Sequence, residues 1–229
     1  MEIPQKPWLY LKTSIDDPKI MSEQTRENLL KKKKIIGLKV FSEEKMYSQL
    51  MRRYIQILIF TKFSNKVSLF LKKFEEIVSA LNLRNTLYQL SEIKDFFSSS
   101  KNTKNIEQVL QYICNPNTSL YLETLSRQLI IYELKSNTYN YSDILQSWVQ
   151  NDACDIQGEL LSVLANALGC QIREYTSLFE LKEILYGKNE NSDLIISYLR
   201  VAEKNYFLMS IEEMESSGFE FTKNDYNLD

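Results

Sequence analysis

The sequence predicts an α+β fold, mostly helical, with a small mostly antiparallel sheet formed largely by the C-terminal strands. Apolar residues recur at helical spacing in successive segments between Met46 and Leu168. Gly169 then stops the last helical run, in the position where a left-handed residue is wanted. Beyond it the period changes. Cys170–Tyr175, Asp193–Val201 and Asn205–Ser210 are β-branched and aromatic runs, two of them alternating.

The elements follow in chain order. Pro4 and Pro7 fix φ and bias their predecessors away from helix, so residues 1–17 read as an extended arm. Its apolar cluster of Trp8, Leu9, Tyr10 and Leu11 either packs back on the domain or docks on another protein. Trp8, Tyr10 and Leu11 are therefore the candidate partner-binding residues. Asp17-Pro18 opens a helix to about Lys34, and Ile35–Phe41 reads as a short strand. A helix starts at Met46 with Tyr47, Leu50, Met51, Tyr54, Ile55 and Leu58 on one stripe. The next carries Val67, Phe70, Phe74, Ile77, Val78 and Leu81. Leu87, Leu90, Ile93 and Phe97 continue the pattern until Ser98-Ser99-Ser100 breaks it. Further helices are expected at Asn105–Cys114, from Pro116 to about Lys135, and at Ser142–Val149. Asp155 is expected to cap a helix running through Ile156, Leu160, Val163 and Leu164 to Leu168. Residues 18–210 then form one domain. In residues 211–229, six acids (Glu212, Glu213, Glu215, Glu220, Asp225, Asp229) against Lys223 make an acidic tail.

Composition narrows the chemistry. The 229 residues include 28 Lys+Arg and 30 Asp+Glu, a formal charge of -2, so no basic excess draws nucleic acid. No apolar run approaches the length of a membrane span, and the N-terminus does not read as a signal peptide. Histidine is absent from the whole chain, which removes imidazole acid–base chemistry, Ser-His and Cys-His pairs, and imidazole metal sites. No cofactor or metal is expected. The three cysteines at wide spacing suit a reducing, intracellular compartment, most simply the cytoplasm. Cys114 and Cys170 read as core fillers. Cys154 precedes a helix N-terminus, which lowers a thiol pKa, but Asp152 and Asp155 push the other way. Lys31-Lys32-Lys33-Lys34 is what a helix dipole favours in a last turn, and needs no import or phosphate-binding role.

The stretch Asn105–Tyr175 resembles the otubains, the ovarian-tumour-type cysteine proteases that cleave ubiquitin chains. Ile106-Glu107-Gln108-Val109-Leu110, then Asn117–Leu122, then Leu125-Ser126-Arg127-Gln128-Leu129 look like the family's helix, small polar turn and Arg-containing helix. Asp155-Ile156-Gln157 through Leu164-Ala165-Asn166-Ala167-Leu168-Gly169 and Ile172-Arg173-Glu174-Tyr175 are similar to its helix and following core strand. Ser197-Tyr198-Leu199-Arg200 and Asn205-Tyr206-Phe207-Leu208-Met209 resemble the strand pair that carries its His-Tyr-Asp motif. The resemblance implies an otubain-like, papain-type fold.

The departures fall on the family's catalytic positions. Its active loop has Asp-Gly-Asn-Cys, and the matching register here is Glu43-Glu44-Lys45-Met46. The nucleophile position is thus Met46, a thioether that cannot form a thiolate. The histidine position falls on Asn205 and its orienting acid on Phe207. Glu43, Met46, Asn205 and Phe207 are therefore vestigial positions, and the resemblance implies the fold without the hydrolase, because such groups act as one unit. What remains is binding, with other protein subunits as partners in a larger assembly. The alternative is a non-catalytic regulator that binds ubiquitin or a ubiquitin-conjugating enzyme. A second alternative is an active deubiquitinase working through Cys154 with a carboxylate or water as base.

Overall fold

The computed structural model describes residues 9–10, 35–40, 45–60, 66–80, 91, 95, 116–136, 149–151, 156, 158–177, 181–188, 193–201 and 204–210. The helices expected at 18–34, 105–114 and most of 142–149 lie outside them, as do Trp8, Leu11, Glu43, Cys114, Cys154 and the acidic tail. The chain divides into two compact units. One comprises Met1–Ser42, Arg173–Leu185 and Ile196–Asp229; the other comprises Glu43–Ile172 and Tyr186–Ile195.

The first unit carries most of a six-stranded sheet. Its strands are β1 (Leu9–Tyr10), β2 (Ile35–Val40), β3 (Gln171–Ser177), β4 (Leu181–Tyr186), β5 (Ile195–Val201) and β6 (Lys204–Ser210), in the order β1-β2-β6-β5-β3-β4. The pairs β1/β2, β2/β6 and β5/β6 are antiparallel. In the arm, Leu9 pairs with Leu38 and Tyr10 with Gly37, so this part of the chain adds a strand to the sheet. Tyr198 and Leu199 of β5 are buried, as are Phe207 and Leu208 of β6. Consecutive residues of a strand lie on opposite faces, so the central strands are covered on both. The sequence reading lacked β4. Leu181, Ile184 and Leu185 give that segment no alternation, the signal by which a strand is recognised.

The second unit is helical, with α1 (Met46–Phe60), α2 (Lys66–Ala80), α3 (Pro116–Ser136) and α4 (Glu159–Leu168) among its described residues. The stripe expected on α1 is in the core: Tyr47, Leu50, Met51, Tyr54, Ile55 and Leu58 are all buried. Helix α3 packs on α1, α2 and α4. Tyr54 meets Phe70 at 5.3 Å between ring centroids, and Phe70 meets Phe74 at 5.2 Å in an edge-on arrangement.

Helix α4 corrects one expectation and meets another. It begins at Glu159, with Gly158 at the N-cap position (φ 55°, ψ -125°) and no side-chain cap, so Asp155 does not cap it. Ile156 is buried outside the helix, where it satisfies the same apolar pattern without a helical turn. At the other end, Gly169 adopts the left-handed conformation (φ 64°, ψ 37°). Its N–H donates to Asn166 O at 3.1 Å and the Cys170 N–H donates to Ala165 O at 3.0 Å, a Schellman arrangement that satisfies the last carbonyls.

Candidate functional site

Two regions hold the positions that the sequence aligns with catalytic ones, and each lies in its own unit. In the helical unit, Met46 is the first residue of α1 and is 4% exposed. Lys45 precedes it, and its carbonyl accepts from the Ser48 and Gln49 N–H groups at 3.1 and 3.3 Å and from the Ser48 hydroxyl at 2.9 Å. A helix N-terminus concentrates unsatisfied N–H groups and partial positive charge, which is where a thiolate would be stabilised. A methionine there has no proton to lose.

What holds that end of α1 is a polar cluster on α3. Glu123 Oε1 accepts from Lys45 Nζ at 2.9 Å, from Arg127 Nε at 3.1 Å and from Arg127 Nη2 at 3.0 Å. The carboxylate offsets the unfavourable placement of Lys45 at a positive helix end. Arg127 Nη1 also donates to Val149 O at 2.6 Å and to Asn151 O at 3.1 Å, and its guanidinium lies 4.3 Å from the centroid of the Tyr47 ring. Ser126 Oγ donates to Tyr47 O at 3.0 Å. One arginine thus ties α3, the start of α1 and the chain at Val149–Asn151 together.

A second feature of α1 is its polar stripe. Gln49, Arg52, Arg53 and Gln56 recur at i, i+3, i+4 and i+7, on one face, and all are buried. The helix is therefore buried all round from Met46 to Leu58.

In the sheet unit, Asn205 and Phe207 are two apart on β6 and so share a face. Phe207 is fully buried. It pairs with Tyr198 across the β5/β6 ladder, with ring centroids 5.8 Å apart, and Asn205 pairs with Arg200. Tyr198 donates its hydroxyl proton to Glu174 Oε2 at 2.7 Å, and Arg200 Nη1 lies 3.7 Å from Glu174 Oε1. Glu174 is a buried carboxylate held by a phenol and a guanidinium. The register thus sets the Phe207 ring beside a Glu-Tyr-Arg network, with no imidazole anywhere in the chain to take a proton.

The sequence reading named Arg127, Tyr198 and Arg200 only within stretches of resemblance. The i,i+4 spacing of Glu123 and Arg127 was visible, whereas the reach of Arg127 to Val149 and Asn151 is long-range. The Glu174 network joins residues far apart in sequence and left no local signal.

Cys170 is buried and forms no disulfide. Near it the Tyr54 hydroxyl donates to Leu168 O at 3.1 Å, and burial, with Cys170 adding to it, pushes the Tyr54 phenol well above its usual pKa. Among the described residues no group of three or more His, Cys, Asp or Glu could hold a metal ion. Among them, too, no helix is long and apolar enough to cross a membrane.

The fold is otubain-like. The chain matches the solved structure of h/ceOTUB1-ubiquitin aldehyde-UBC13~Ub with a TM-score of 0.68 over 90% of this chain and 91% of that one, at 12% sequence identity. Likeness at that identity establishes the fold. No family model matches the sequence, and a search of curated proteins finds no match.

Proposed function

We propose that this chain is a catalytically inactive otubain-like protein that acts by binding, as a structural subunit of a larger protein assembly. The observation that carries the reading is the absence of histidine from all 229 residues. A cysteine hydrolase of this fold needs a base to take the thiol proton and return it to the leaving group. Met46 at the start of α1 and Phe207 on β6 agree with that, since neither side chain ionises. The Arg127–Glu123–Lys45 cluster supports the same reading from another side: it anchors the old nucleophile helix by means that need no catalysis.

A second reading is favoured by the structural neighbour, which was solved with ubiquitin aldehyde and UBC13~Ub. In it the chain is a non-catalytic regulator that binds ubiquitin or a ubiquitin-conjugating enzyme. Titrating isotopically labelled ubiquitin with this protein and following ubiquitin by NMR separates the two. The subunit reading predicts no shifts at high protein excess, and co-purification from the native source with a stoichiometric set of partners. Shifts confined to one face of ubiquitin would replace it with the regulator.

A further inference from the structure

We draw no further inference here: the strongest candidate, the buried polar face that Gln49, Arg52, Arg53 and Gln56 form along α1, carries none, because nothing among the described residues shows what covers it or what it would bind.

Discussion

Arg127 is where one side chain does the most for the described structure. Exchanging it for methionine keeps the stem but removes the bonds to Glu123, Val149 and Asn151 and the contact with Tyr47. Glu123 would keep Lys45, while the two carbonyls would lose their donor. Arg127→Met is expected to cost about 3 kcal/mol, the range for breaking a buried ion pair, read as a lower urea midpoint at unchanged slope. Tyr54 makes a different prediction. Its pKa is raised in the folded state, by burial first and Cys170 second, above the ordinary 10.0. Below that value both states keep the proton and the contribution is fully present. As pH rises past it, the unfolded chain loses the proton while the folded one keeps it, so stability falls, by about 1.4 kcal/mol per pH unit. Tyr54→Phe is expected to make the alkaline fall shallower. At neutral pH it costs about 1 kcal/mol, for the lost bond to Leu168 O. Unfolding midpoints at several values between pH 9 and 11 check both.

At the scale of elements, what was legible depended on whether the decisive signal was local. Helix α3 runs Pro116–Ser136, and β5 and β6 end where the reading placed them, because proline, apolar period and β-branched runs are local signals. Gly169 was legible for the same reason. The start of α4 was not. Asp155 and the apolar Ile156 mimic a cap and a first turn, and the positive φ at Gly158 that sets the real boundary is a property of the folded backbone. Strand β4 was missed because exposure on both faces leaves no alternation to read. Gly187, just after β4, separates a conformational need from a spatial one. Its φ is 105°, and an added Cβ would sit 3.0 Å from both Ala165 Cβ and Cys170 O, whereas Gly169 has open space around it. Gly169→Ala is therefore expected to cost about 1 kcal/mol, from the left-handed backbone alone. Gly187→Ala is expected to cost more, about 2–3 kcal/mol, in the same urea assay. Equal costs would mean that the close approach to Ala165 and Cys170 relaxes freely.

At the scale of the whole molecule, the resemblance read from scattered stretches and the structural likeness agree on the fold, at an identity of 12%. Such agreement is possible because the fold depends on apolar pattern and volume, which tolerate wide substitution. Chemistry depends on particular atoms. The sequence alone reported the missing imidazole, since a count needs no register. The candidate site was less legible. Met46 and Phe207 depend on an alignment, and the buried networks around Arg127 and Glu174 join residues that only folding brings together. The proposed reading therefore rests on the lack of histidine in a chain whose fold is otubain-like. The most direct test is exposure of the full-length protein to ubiquitin carrying a thiol-reactive electrophile at its C-terminus, with cleavage of ubiquitin chains followed in parallel. The account predicts no covalent adduct and no cleavage. An adduct formed with cleavage, both lost in Cys154→Ser, would contradict it and make this otubain-like protein an enzyme after all.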